Sequence, residues 1–279
     1  MKPDNEGMNV WSQSAPYWEK YRETIRQMFA PITEALIEDA QIARGHSVLD
    51  VATGPGEPAL SIVEVVGLNG TVAGIDPAPE MIAAATRAAL RNQLSNARFQ
   101  VASADRLPFA NDTFDAAVSR FGVMFFPFPV EGVQEMLRVL KPQGNLAFAV
   151  WHLAERNPFH YVFSRVLERY VPSDPVPPDS PDAFRFAGLG KLPNVLNEGG
   201  ATAVSERLLQ FRVEAPGSAE DFWTLRSEMS DKLRAKVGML SKDQLAAVRR
   251  EIIRDIGAYS TARGISFPAE VLIVSGTKA

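Results

Sequence analysis

The sequence predicts an α/β protein built on a mostly parallel sheet with helices on both faces. Between Ser47 and His152, short apolar runs alternate with helical stretches, the pattern of right-handed βαβ units. The apolar runs are nearly continuous rather than alternating with polar residues, as strands buried on both faces require.

Trp11 to Arg44 reads as helical and amphipathic, with Ile25, Met28, Phe29, Ile32, Leu36 and Ile37 near helical spacing and a division at Pro31. SVLDVA is the first strand and ends in Thr53-Gly54-Pro55-Gly56. A helix from about Glu57 to Val66 tolerates Pro58 in its first turn. TVAGID is the second strand, and Pro79 opens an alanine-rich helix to about Gln93. ARFQVASAD and FDAAVSRF are the third and fourth strands. Glu131–Leu140 is helical and stops at Lys141-Pro142-Gln143-Gly144, and NLAFAVWH is the fifth strand.

After Leu153 the alternation breaks. A helix around Pro158–Tyr170 precedes VPSDPVPPDSPD, a proline-rich loop that serves either as a roof over the site or as a surface connection. Leu192–Glu198 is a short helix, and Ala201–Val213 a sixth strand. Ala219–Val237 reads as one helix with the stripe Phe222, Leu225, Met229, Leu233 and Val237. Ser241 with Gln244 is a capping box for another helix, with Leu245, Val248, Ile252 and Ile256 inward. Ala269–Val274 is the last strand. The expected organisation is one domain over 1–279. It has an N-terminal helical segment (1–44), a ligand-binding core (45–152), insertions at 153–200 and 214–264 forming a cap, and closing strands at 201–213 and 265–279. Ligands of open α/β sheets bind beyond the carboxyl ends of the strands. The first insertion is well placed to roof that crevice. With a parallel sixth strand, the second is expected nearer the opposite end, reaching the crevice only by folding back.

Composition excludes several chemistries. The 279 residues carry a net charge of −4, against the basic balance of a nucleic-acid binder. Without cysteine, disulfides, thiolate zinc sites, iron–sulfur clusters and cysteine nucleophiles are ruled out. Three histidines are too few for most zinc enzymes, so no metal is expected. The N-terminus lacks the apolar stretch of a signal peptide, and no apolar run approaches the ~18 residues that span a bilayer. A cytoplasmic protein without stable membrane insertion is expected.

Four acidic or glycine positions sit at strand ends. Gly54 and Gly56 allow positive φ and close approach of a ligand, and through Ala59 the loop reads G-x-G-x-x-A; a plain βα turn would need the same glycines. Asp76 ends the second strand, where a carboxylate can accept both hydroxyls of a ribose or simply start a helix. Asp105 follows the third strand beside Ala104 and could accept the exocyclic amine of an adenine, or be a solvated turn. Asp50 lies within the first strand; a charge there is rarely buried without a partner, so loop amides or a ligand amine are expected on it.

VLDVATGPGEPAL, VAGIDPAPEMI, SADRLPF, FDAAVSRFGVMFF and RVLKPQGNLAFAVW, in this order and spacing, resemble the class I S-adenosylmethionine-dependent methyltransferases, in particular their ubiquinone/menaquinone biosynthesis methyltransferase-like branch. The likeness runs from Ser47 to His152, plus the terminal strand. It implies a Rossmann-like seven-stranded sheet of order 3-2-1-4-5-7-6 with the last strand antiparallel, and S-adenosyl-L-methionine as cofactor. It also implies that Asp50 and the Ala52–Gly56 loop (Ala52, Thr53, Gly54, Gly56) hold the methionyl end, and that Asp76, followed by Pro77, binds the ribose. Met81 would pack on the adenine, and Ala104 and Asp105, next to Arg106, would bind its edge. Ser119, Arg120 and Phe121 would open towards the cofactor sulfur. Ala52, Pro55 and Gln143 depart from the family pattern without removing a cofactor contact.

Transfer of a methyl group from a sulfonium is an in-line displacement that mainly demands alignment, with a general base for some acceptors. His152, after the fifth strand, is the expected base, unless it merely bonds backbone beside Trp151. His160, Tyr17, Tyr21, Trp223 and Arg120 are the candidates for the acceptor side, and Arg120 could instead pair with a helix acid. Tyr17, Trp18 and Tyr21 could close over the cofactor or pack the first helix on the sheet. His46 sits at the wrong end of the strands. The expected activity is methylation of a small, partly apolar molecule, quinol-like, phenolic or another metabolite, by a monomer or homodimer. A nicotinamide-dependent oxidoreductase would use the same glycine loop, but the Asp105 segment and RVLKPQG have no role in it and no clear Tyr-x-x-x-Lys pair is seen. A cofactor-binding protein without catalysis is the third reading, opposed by the intact cofactor set.

Overall fold

The computed structural model describes residues 5–173, 177 and 179–279. Three helices lead in: α1 (Asn5–Lys20), α2 (Arg22–Met28) and α3 (Ala30–Asp39), the last opening with Pro31 in its first turn. The core then runs β1 (Ser47–Val51), α4 (Ala59–Val66), β2 (Thr71–Asp76), α5 (Pro79–Arg91), β3 (Ala97–Val101), β4 (Phe114–Arg120), α6 (Pro129–Val139) and β5 (Leu140–Trp151). After it come α7 (Pro158–Leu167), α8 (Lys191–Glu198), β6 (Thr202–Ala215), α9 (Ala219–Met229), α10 (Asp231–Gly238), α11 (Lys242–Gly257), β7 (Ser260–Thr261) and β8 (Gly264–Thr277). The sheet order is 3-2-1-4-5-8-6, with the two-residue β7 on β8. Setting β7 aside, this is the expected topology: β1 to β5 pair in parallel and β8 runs antiparallel between β5 and β6.

Right-handed crossovers put α4 and α5 on one face and α6 on the other. Strand residues Val48, Leu49, Ala116, Ala117, Val118 and Leu146 to Val150 are fully buried, each large side chain contributing roughly 1.5–3 kcal/mol. The near-continuous apolar runs thus reflect burial on both faces.

Three expectations need correction. The helix expected over Ala219–Val237 is broken at Ser230, whose hydroxyl accepts the Leu233 amide and starts α10. Phe222, Leu225, Met229 and Leu233 nevertheless share one buried stripe. The Lys141–Gly144 stop belongs to β5, which begins at Leu140. The second insertion does not need to fold back. Because β8 is antiparallel to both neighbours, β6 runs parallel to β5, and both strands deliver their insertions to the same end. The β6–β8 ladder also outruns β5. Beyond Trp151↔Val271 and Leu209↔Val271, six further pairs continue to Ala215↔Ile265, an arm of about 20 Å at ~3.4 Å per residue. That arm carries α9 to α11 past the strand ends. Part of the proline-rich loop (174–176 and 178) lies outside the described residues. No helix among the described residues is long and apolar enough to cross a membrane.

Candidate functional site

The glycine loop turns through three positive-φ residues: Ala52 (61°), Gly54 (55°) and Gly56 (108°). A Cβ at Gly54 would meet nothing within 4 Å, whereas one at Gly56 would sit 3.3 Å from the Ala85 Cα of α5. Gly54 thus keeps open space above the loop, and Gly56 lets α5 close on it. Ala52, where the family pattern has glycine, is accommodated by Gly122, since a Cβ at Gly122 would stand 2.5 Å from that of Ala52.

Asp50 is fully buried under the loop. Its Oδ2 accepts the Thr53 hydroxyl (2.6 Å) and the Ala59 amide (3.0 Å), while Oδ1 has no partner. Burial pushes its pKa up to about 7 against the pull of Thr53, Arg120 and Ala59. An orphaned carboxylate oxygen is costly, and a ligand ammonium above the loop is the group that would complete it. Asp76 is 7% exposed. Its oxygens accept the Gly54 amide (3.0 Å) and the Ala78 amide (2.9 Å), tying the loop to the end of β2 and to the turn that leads into α5. Burial raises its pKa to about 6. Each oxygen keeps a lone pair for a further donor.

Met81 is buried against Ala15 and Ala78, with Trp11 and Trp18 packed on it. The Trp18 indole N–H is buried without an acceptor, and Trp11 meets Phe125, beyond β4, edge-on at 5.2 Å. Helix α1 therefore spans from the end of β2 to the end of β4. Ala104 is buried, while Asp105 and Arg106 are exposed, and Asp105 accepts the Ser103 hydroxyl. Ser119 is sealed, donating to the Val51 carbonyl at 2.8 Å. Arg120 is also buried. It donates to the Thr33 hydroxyl on α3 (2.8 Å) and to the Glu57 carbonyl (3.2 Å). Its partners are thus a helix hydroxyl and a loop carbonyl, not a helix acid. Phe121, at φ 65°, stacks on Trp151 with centroids 4.4 Å apart.

The two insertions and α1 meet above these strand ends. Tyr21 and Lys20 both donate to Glu228 on α9, Arg234 lies over the Tyr17 ring at 4.9 Å and donates to Ser14, and Trp223 stacks on Phe163 of α7. Sequence reasoning placed His152 in the crevice. Its ring instead bonds Glu270 on β8 (2.8 Å), which also accepts from Gln210 on β6. Glu270 and Gln210 line a shallow surface cleft with Glu155 and Arg156. Consecutive strand residues point to opposite faces, and the inward ring is Trp151, which meets Phe29, Phe159 and His160. The His46 ring accepts the Ala43 amide.

The sequence reading missed Arg226, Glu57 and the inward role of Trp151. Arg226 had a visible signal: it stands four residues after Phe222 and three before Met229, inside the apolar stripe of α9. Glu57 is 8% exposed, its pKa raised by burial and restrained by Arg120.

Residues 48–144 match the family model "Methyltransferase domain". The demethylmenaquinone methyltransferase of Chlorobaculum parvum is 37% identical over 41% of this chain and 44% of its own length. The nocamycin O-methyltransferase of Saccharothrix syringae is 26% identical over 92% of this chain and 94% of its own. Uncharacterized mycobacterial proteins share 34% identity over 47% of the chain, which spans only 46% of their length. Among solved structures, the YcgJ protein of Bacillus subtilis superposes with a TM-score of 0.57 at 20% identity, covering 88% of this chain and 97% of that one. The [4+2]-cyclase SpnF shares the fold as well, at TM-score 0.53 and 18% identity, covering 96% and 95%. The orphaned Asp50 oxygen and the open Gly54 cradle fit S-adenosylmethionine, and residues 48–144 carry a methyltransferase domain similar to those of the class I S-adenosylmethionine-dependent methyltransferases, including the ubiquinone/menaquinone biosynthesis methyltransferases.

Proposed function

We propose that this protein is a methyltransferase for a small, partly apolar molecule and works in the cytoplasm. The observation that carries the reading is the buried Asp50 carboxylate with one oxygen unpartnered beneath an open glycine loop. S-adenosylmethionine, when bound, supplies the activated methyl group. In this reading Asp50 and the Ala52–Gly56 loop hold its ammonium end, and Asp76 accepts the ribose hydroxyls. Met81 and Trp18 pack on the adenine, and Ala104 with Asp105 reads its amine. Ser119 to Phe121 form the floor near the sulfur. Helices α1, α7 and α9 exclude water, and the Phe121–Trp151 stack offers a flat apolar wall for the acceptor. Alignment of acceptor and methyl group is then the main contribution of the chain.

Calorimetric titration with S-adenosylhomocysteine, with NADH in parallel, tests the cofactor. Binding of the former alone is expected; binding of NADH alone would return the protein to redox chemistry. Because the same fold carries a [4+2]-cyclase, transfer of a labelled methyl group to an acceptor must be followed separately.

The raised carboxyls predict a pH signature. Asp50 and Asp76 titrate near 7 and 6 in the folded chain, but near 4 when unfolded. Between pH ~4 and ~7 the folded state therefore holds more protons, and the contribution of these groups to stability falls as pH rises. The ammonium and hydroxyls of the ligand favour the ionised carboxylates. The Tm gain given by S-adenosylhomocysteine is thus expected to grow from pH 5.5 to 8, and to grow less in Asp50→Asn. A gain independent of pH in the wild type would remove both carboxylates from the site.

The base expectation for His152 is also testable. Its ring is engaged by Glu270 away from the Trp151 wall, so His152→Ala is expected to change turnover less than about threefold and to leave cofactor affinity unchanged. A loss beyond about tenfold at unchanged affinity would make it the base.

A further inference from the structure

Arg226 of α9 and His160 of α7 face each other in an aromatic box at the Trp151 wall. The guanidinium lies over the Phe159 ring at 4.3 Å and near Phe163 at 5.8 Å. His160 meets Trp151 edge-on at 4.7 Å and Phe184 at 5.3 Å. Among the described residues no carboxylate pairs with Arg226. The acids of its own helix are taken: Glu220 by Arg249, Asp221 by the Ser218 cap, and Glu228 by Lys20 and Tyr21. The Arg226 Nε is buried without an acceptor. Its Nη2 makes one long contact, 3.5 Å to His160 Nδ1. A guanidinium only donates, so Nδ1 accepts and the ring proton sits on Nε2, which is likewise buried and unpartnered. Burial lowers the Arg226 pKa to about 10 and holds His160 neutral, far below its ordinary range.

Two donors, the Arg226 Nε–H and the His160 Nε2–H, therefore lie in one apolar box with nothing to donate to. A buried guanidinium Nε–H without an acceptor burdens folding, and a hydrophobic side chain would fill the stripe of α9 better. We propose that Arg226 and His160 form the polar end of the acceptor pocket and select a substrate bearing an ionised oxygen, a carboxylate or an acidic phenol or enol, on a flat apolar body. This rests on the methyltransferase reading and narrows its substrate class. Donors without acceptors exclude an ammonium or amide N–H at this point, and the rings of Trp151, Phe159 and Phe184 favour a planar body. The box joins the cofactor floor through aromatic rings, since Trp151 stacks on Phe121 and Phe29 meets both Phe121 and Phe159.

The test uses the full chain saturated with S-adenosylhomocysteine, titrated at pH 8.5 with two probe pairs: 2-naphthoate against 2-naphthamide, and 4-nitrophenolate against 4-nitroanisole. In at least one pair the ionised member is expected to bind about tenfold or more tightly, as a hydrogen bond to a charged group implies; which pair shows it identifies the oxygen. Arg226→Met is expected to abolish that preference, leaving the neutral probe within about threefold. Equal binding within both pairs, no binding of any probe, or a preference that survives Arg226→Met overturns the proposal. Binding of S-adenosylhomocysteine reports the underlying reading separately: its absence in the wild type sinks the methyltransferase assignment itself. Its absence only in Arg226→Met means a misfolded variant, and Arg226→Lys is then read instead. There the ionised probe is expected to bind about three- to tenfold more weakly, and unchanged affinity overturns the proposal.

Discussion

Replacing Arg120 by methionine is expected to lower Tm by roughly 6–20 °C, corresponding to ~3–5 kcal/mol for breaking a buried charge cluster. Arg120 ends β4 and is 9% exposed. Its guanidinium bridges Thr33 on α3 and the Glu57 carbonyl in the glycine loop, and it lies near the Phe29 ring. Asp50 and Glu57 both lie in its field, and both have pKa values raised by burial and restrained by its charge. Without it, two buried carboxyls lose their counter-charge, and each gives up ionisation or solvates by opening the loop. The loss is therefore expected to be larger at pH 8 than at pH 5.5, because below its raised pKa of about 7 the Asp50 carboxyl is already neutral. Adding Glu57→Gln removes one stranded charge and is expected to restore part of the Tm, a coupling that a double-mutant cycle measures. A Tm change under about 2 °C in the single variant would show that the cluster does not hold the loop. Arg120 is thus expected to act on the cofactor through the loop, and not as an anchor for an anionic substrate.

The topology was legible because the local signals agreed: apolar runs, strand-end glycines and prolines at helix starts all favoured the same βαβ order. The placement of the cofactor candidates was legible for a related reason. Most of them, from Asp50 to Phe121, lie at or near strand ends in sequence order, so spacing alone brings them to one edge. On the proposed acceptor side His160 was a candidate, but its meeting with Arg226 was not visible. Arg226 and His160 are 66 residues apart and meet only because β6 and β8 extend beyond β5 and carry α9 back over α7. Strand length and direction set that meeting, and neither the proline-rich segment nor the periodicity of Ala219–Val237 reports them. The surroundings of His152 were equally hard to read. Its position after β5 suggested the crevice, but strand alternation gave the inward place to Trp151 and left His152 to Glu270. The break at Ser230 escaped notice because the buried stripe continues through it, and only the hydroxyl of Ser230 reveals the new helix start.

Asp76→Ala is expected to weaken S-adenosylhomocysteine binding about 100-fold or more while the chain stays folded. Two ribose hydroxyls donating to one carboxylate are worth ~1.5–3 kcal/mol each, and tenfold in affinity is ~1.4 kcal/mol. The carboxylate also orders the loop through the Gly54 amide and α5 through the Ala78 amide. Alanine therefore removes both the ligand contact and part of its preorganisation. Asp76→Asn separates the two. Its carbonyl oxygen can still accept one amide, but its NH2 faces the other donor and cannot accept from a hydroxyl, so most of the affinity loss is expected to remain. The control is Tm. Losing two loop hydrogen bonds costs ~1–3 kcal/mol, a fall of roughly 2–12 °C, which leaves a cooperative transition in a core this deeply buried. The pH profile gives a second handle. In the wild type part of the loss of affinity below pH ~6 belongs to protonation of Asp76, and in Asp76→Ala only the component near pH 7 from Asp50 is expected to persist. Affinity unchanged in Asp76→Ala would confine this carboxylate to its bonds to the loop and the turn before α5, and the ribose would have to be held elsewhere.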